Sequence, residues 1–160
     1  MRKLCAMAMA AVGLASLTGP TRAAEEAFDA CEVFTQADAE KALGTAAAPE
    51  PVNPKVRRPK VIPSCTYKGF KDGKPVAVTV QFRFGKTEGD AERAFEDARM
   101  QFQTKPMLIS GTQAFWSGKT GQMNLRKGRT WITVAVGSER PNERTSEDAK
   151  KVAEALAKRL

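Results

Sequence analysis

Asp72-Gly73 stands between two stretches, 65–70 and 76–84, in which apolar and polar residues largely alternate. An Asp-Gly pair in that setting is the strongest short-range signal for a two-residue β-hairpin, because the twist-matched turn needs residues that tolerate positive φ. A turn closed there sets Tyr67 opposite Val78 and Cys65 opposite Val80. The period of two then sorts the side chains. Cys65, Tyr67, Val76, Val78, Val80, Phe82 and Phe84 share one face, and Thr66, Lys68, Thr79, Gln81 and Arg83 share the other. Cys65 therefore points into the core.

A cysteine so placed raises the question of a partner. The chain has three cysteines among its 160 residues. Arg2-Lys3, the uncharged run 4–17 and the small residues around Ala23-Ala24 predict a secretory signal peptide over 1–23, with cleavage after Ala23 or Ala24. The run is too short for a spanning helix, so no transmembrane segment is expected in the mature chain. Cys5 leaves with the signal, and Cys31 and Cys65 remain as an even pair in an oxidising compartment, periplasmic or secreted. A Cys31–Cys65 disulfide is the expectation. A reactive thiol is the weaker alternative, since the sequence has no histidine to act as its base. Cys31 also lies well past the apolar run, where a lipid-anchored cysteine would sit directly at the cleavage point.

The remainder, 24–160, reads as a single domain. Thr35 with Asp38 and Thr87 with Asp90 have capping-box spacing, and Gly44 supplies a left-handed stop for the first helix. Ala91, Ala94, Phe95, Ala98 and Phe102 form the stripe of a second helix. Ala149, Val152, Ala153, Leu156 and Leu160, behind a Thr145 or Ser146 cap, form that of a third. Extended stretches are expected at 107–110 and, shorter, at 114–117, followed by a loop at 118–121. A second hairpin over 122–136 turning at Lys127-Gly128 would set Leu125 opposite Thr130 and Met123 opposite Ile132, with Met123, Leu125, Ile132, Val134 and Val136 buried and Trp131 on the other face. The fold class is α+β, a mainly antiparallel sheet of four to five strands packed with three helices and held by one disulfide.

Between the cysteines, five prolines from Pro49 to Pro63 alternate with Lys55, Arg57, Arg58 and Lys60. This composition favours extended polyproline II, either as a basic ribbon for an anionic partner or as a solvated loop. If one sheet face is bare, Lys68, Arg83, Arg126, Arg129 and Trp131 add charge beside an aromatic plate. The competing expectation is a helix laid over that face with Trp131 beneath it.

Known chemistries fare poorly. Gly85-Lys86-Thr87 and Gly118-Lys119-Thr120 resemble the end of a phosphate loop, but Val80 and Gln113 stand where its first glycine belongs. Without histidine, neither a Ser-His-Asp triad nor a zinc site of the usual type can be assembled, and no Ser-x-x-Lys occurs. The acidic pairs Glu96-Asp97 and Glu147-Asp148 read as solvated helix faces. No enzyme activity, metal or other cofactor is expected. The formal net charge of +8 falls by three with the signal peptide. For an exported protein that charge points to an anionic envelope polymer or an acidic protein rather than nucleic acid. The expectation is a non-enzymatic binding module. The alternative is a carrier of small apolar ligands, with a pocket between sheet and helices lined by residues such as Tyr67, Phe82, Phe95 and Phe102.

Several segments taken together resemble a known type: Cys31-Glu32-Val33-Phe34-Thr35 with Ala42-Leu43-Gly44, then Cys65-Thr66-Tyr67, Gly111-Thr112-Gln113-Ala114-Phe115-Trp116 and Leu125-Arg126-Lys127-Gly128. The pattern resembles bacterial secreted or lipoprotein domains of unknown function, common in actinobacterial envelopes. The resemblance implies an α+β domain of the PsbP-like sort, a Cys31–Cys65 bridge and no established activity. The missing lipobox departs from the lipoprotein version.

Overall fold

The computed structural model describes residues 28–48, 51 and 62–160. The expected signal peptide and the basic connector residues Lys55, Arg57, Arg58 and Lys60 lie outside them. The architecture is α+β, built on one antiparallel sheet of six strands, one more than the upper end of the expected range. In chain order the strands are β1 (Ser64–Lys71), β2 (Lys74–Phe84), β3 (Met107–Ile109), β4 (Thr112–Ser117), β5 (Gln122–Lys127) and β6 (Thr130–Ser138). They lie in the order β1-β2-β6-β5-β4-β3. The extra strand comes from 107–117, where Ser110 and Gly111, both at positive φ, turn Met107–Ile109 back on Thr112–Ser117 as a third tight hairpin.

The first hairpin has the expected register, with Tyr67 opposite Val78 and Cys65 opposite Val80. Asp72 and Gly73 both carry positive φ. The second hairpin differs. Its loop is Gly128-Arg129, and Leu125 opposes Ile132 while Met123 opposes Val134. Only Gly128 of this loop has positive φ, so the glycine takes the first loop position instead of the second. The register is displaced by two residues, which preserves the faces. Met123, Leu125, Ile132, Val134 and Val136 are all buried on the inner side with Val78, Val80 and Phe82.

Among the described residues four α-helices complete the domain: α1 (Ala30–Val33), α2 (Gln36–Leu43), α3 (Glu88–Gln101) and α4 (Ser146–Arg159). The last three are those anticipated; α1 is a single turn capped by Asp29. Both capping boxes form, at Thr35–Asp38 and Thr87–Asp90, and Gly44 closes α2 at φ 67°. Thr145 caps α4. On α3 the buried stripe narrows to Ala91 and Phe95; Ala94 is exposed. Helices α1, α2 and α4 pack on the inner face, while α3 lies against β5 and β6 on the outer one. No helix among the described residues is long and apolar enough to cross a membrane.

Cys31 and Cys65 form the disulfide, with Cα atoms 5.1 Å apart. Cys65 is fully buried. The bridge ties a helical layer of one turn plus two turns to the sheet, and helices this short have little stability of their own. The next chain segment reinforces it by running beside β1. Ala47 pairs with Gly69, the Ala48 amide donates to the Lys68 carbonyl at 2.8 Å, and the Thr45 hydroxyl donates to the Phe70 carbonyl at 2.8 Å. A side chain on Gly69 would stand 2.6 Å from the Ala46 carbonyl oxygen, so glycine is what lets this segment close the β1 edge.

Replacing both Cys31 and Cys65 by alanine should cost about 4 kcal/mol, the loop-closure estimate for a loop of this length. Urea denaturation measures the loss. Hydrogen exchange should show α2 amides losing more protection than those of β2 and β6; an even loss across the fold would show that the bridge does not act through the helical layer.

Candidate functional site

The outer face of the sheet has two unlike halves. Over β5 and β6 it is closed by α3. Phe95 of α3 is buried against Phe115 of β4, ring centroids 5.0 Å apart, and meets Trp131 of β6 edge to face at 6.1 Å. Asn124, itself buried, accepts hydrogen bonds from the Trp131 indole and from Thr133, both at 3.1 Å, so the polar groups under the helix are matched. Over β1 and β2 no helix lies on this face among the described residues. Lys68 is exposed there, and Thr66 and Thr79 share a hydroxyl–hydroxyl bond of 2.9 Å.

The candidate residues are thus sorted. Trp131 is half-buried beneath α3, and Trp116, on the inner side of β4, packs on the core. Arg126 is enclosed, its side chain only 10% exposed. It ties α3 to the sheet through Glu88 and Glu92, both at 3.5 Å, and donates to Gln113 at 2.7 and 3.0 Å and to the Gly128 carbonyl at 3.1 Å. Its charge is spent inside the fold. Arg129 is exposed in the β5–β6 loop. Lys68 and Arg83 belong to the open half, while Lys55, Arg57, Arg58 and Lys60 lie outside the described residues.

Arg83 is the unusual member. Its guanidinium stacks on Trp131 at 4.4 Å from the ring centroid. Four arginines are partly buried among the described residues: Arg83, Arg99, Arg126 and Arg144. Arg99 bonds Glu96 at 2.6 Å, Arg126 has the partners above, and Arg144 donates to the carbonyls of Ser138, Thr120 and Glu139. Arg83 has no such oxygen, and its Nε is buried without any hydrogen bond. Burial pushes its pKa down, with no anion to offset the effect. Cation–π contact recovers part of the desolvation cost but supplies no acceptor.

Phe70 escaped the sequence reading. The alternation that places Thr66 and Lys68 on the outer face places Phe70 there too, and its ring is 70% exposed. Conversely, the four aromatics considered for a single apolar pocket are divided by the sheet. Tyr67 and Phe82 are buried on the inner side, whereas Phe95 belongs to α3 on the outer side and Phe102 is the C-cap of that helix. They cannot line one cavity. Among the described residues, concavities lie elsewhere, among them one of about 340 Å³ between α3 and β3–β4 and one of about 370 Å³ between α2 and α4. No group of three or more acidic or cysteine side chains converges to hold a metal among the described residues. No family model, curated protein or solved structure matches this chain.

The α2–α4 groove is closed at one end by an ion pair. Arg159 meets both Asp38 carboxylate oxygens at 2.6 Å and donates to the Val33 carbonyl at 3.0 Å. The Arg159 hydrogen bond, aided by the Thr35 amide and hydroxyl, holds the Asp38 pKa down at about 2. An unfolded aspartate titrates near 3.9, so the pair's contribution is complete above that value and lost as pH falls from about 4 to about 2. Screening at the half-exposed guanidinium limits the gain to about 1 kcal/mol. Arg159→Ala should remove this acid-dependent part of the stability curve and leave the curve above pH 5 parallel to wild type.

Arg126 and Arg83 should respond oppositely to truncation. Arg126→Ala breaks a hydrogen-bonded charge and should cost about 2 kcal/mol. Arg83→Met removes an uncompensated cation and keeps the stem, so stability should stay within about 0.5 kcal/mol of wild type or rise. Chemical denaturation of both variants checks the contrast.

Proposed function

We propose that this chain is an exported, non-enzymatic binding module whose partner is anionic, engaged through the open half of the outer sheet face around Arg83 and Lys68. The observation that carries this reading is the Arg83 guanidinium, stacked on Trp131 and left without an acceptor while every other partly buried arginine among the described residues has one. A positive charge kept partly desolvated costs stability, and an incoming carboxylate, sulfate or phosphate oxygen would pair with the terminal guanidinium nitrogens, which unlike Nε are not buried. No acidic residue stands on the outer face of β1 or β2, where Ser64, Thr66, Lys68 and Phe70 lie beside Ala77, Thr79, Gln81 and Arg83. Lys55, Arg57, Arg58 and Lys60 extend the basic character in sequence toward the start of β1. The disulfide fits a chain that matures in an oxidising compartment.

Retention of the mature protein on immobilised polyanions, compared at low and high salt, tests this reading. Binding should be strong at low salt and lost at high salt. Arg83→Gln should weaken it about tenfold, the worth of one charge-assisted hydrogen bond. Neutralising Lys55, Arg57, Arg58 and Lys60 together should flatten the salt dependence. A protein that passes through every polyanion unretained contradicts the reading, and an Arg83→Gln variant that elutes with wild type removes the outer face from it.

A further inference from the structure

We infer that the open face is a track for a linear acidic polysaccharide of the uronate type, lying along β1 and β2 from Phe70 to Arg83; the inference rests on the anion-binding reading and specifies its ligand. Four features of the face point the same way. The first is the spacing of charge. Lys68 sits beside Ala77 in the β1–β2 register, and Arg83 lies six residues farther along β2, about 20 Å at the rise of an extended strand. Two cations so separated suit a chain with carboxylates along its length better than a single small anion.

The second feature is what lies between them. Ser64, Thr66, Thr79 and Gln81 offer hydroxyl and amide groups, partly exposed and without formal charge. Such groups both donate and accept, which matches the hydroxyls of a sugar chain. The third is Phe70, 70% exposed beside Lys68. An exposed ring at one end of a polar track gives the apolar C–H face of a pyranose a surface to cover, next to a cation for its carboxylate.

The fourth feature weighs against the competitors. An acidic peptide in extended form gains affinity chiefly by adding a strand to a free edge. Here Ala47 and Ala48 already pair with β1 at Gly69 and Lys68, beside the Phe70 end of the track. A single-stranded nucleic acid needs successive aromatic platforms for its bases. Trp131 cannot be one, with Arg83 over its ring and Phe95 against it, so Phe70 stands alone on this half of the face. Arginine also reads a carboxylate through paired N–H groups, a geometry each uronate residue of such a polymer repeats.

Calorimetric titration of the mature protein with polygalacturonate, its methyl ester, poly-L-glutamate and polyuridylate at low salt tests the inference. Polygalacturonate should bind tightest, and the methyl ester about tenfold more weakly or worse, because esterification removes the charge but keeps the sugar. Phe70→Ala should weaken polygalacturonate binding about fivefold and Arg83→Gln about tenfold, with melting temperatures within about 2 °C of wild type to exclude misfolding. Polyglutamate or polyuridylate binding as tightly as polygalacturonate, or a Phe70→Ala variant that binds like wild type, overturns the polysaccharide assignment while leaving the anion-binding reading standing. A wild-type protein that binds none of the three polyanions overturns both.

Discussion

The pairing of β2 with β6 is the constraint on which the rest of the structure depends. It runs from Val76 opposite Ser138 to Phe84 opposite Thr130 and joins strands far apart in sequence. The hairpin β1–β2 and the meander β3 to β6 are each local units. Only this seam makes them one sheet, and its inner residues Val78, Val80, Phe82, Ile132, Val134 and Val136 are the centre of the core. The seam sets the outer face as well. It brings Arg83 directly opposite Trp131, so the cation–π contact follows from strand register, not from a flexible side chain finding a partner.

Around that seam the two faces are finished differently. The inner one is sealed by α1, α2 and α4, with the disulfide and the Asp38–Arg159 pair fastening the weak N-terminal helices. Lys127 adds a bond from its ammonium to the Ala157 carbonyl at 3.0 Å, a cation at the C-terminal end of α4. The outer face is sealed only over β5 and β6, where Arg126 is matched by Glu88, Glu92 and Gln113. Arg83, a short distance away on the same row of the sheet, is matched by an aromatic ring alone. A fold that satisfies the other partly buried arginines among its described residues and leaves this one unmatched carries a local cost there.

Much of this was legible because it is local. The Asp72-Gly73 register follows from two adjacent residues that accept positive φ, and the three longer helices follow from caps and stripes. The register of the Gly128 hairpin is ambiguous by two residues in sequence, because Lys127-Gly128 and Gly128-Arg129 differ only in which loop position takes the positive φ. The faces survived because a displacement of two preserves parity. What stayed hidden is long-range. The stripe of Ala91 and Phe95 says which side of α3 is buried but not which face of the sheet it meets. The closure of the β1 edge depends on a single bridge at Ala47, which no alternation announces. Phe70 is legible by parity but stands near a strand end, where its neighbours carry no pattern that marks it.

The most direct measurement is a map of amide chemical-shift changes on adding an acidic polymer to the isotopically labelled protein. The largest changes should fall at Thr66, Lys68, Phe70, Thr79, Gln81 and Arg83, with α2 and α4 unmoved. Changes concentrated in the α2–α4 groove, with the β1–β2 face silent, would contradict it.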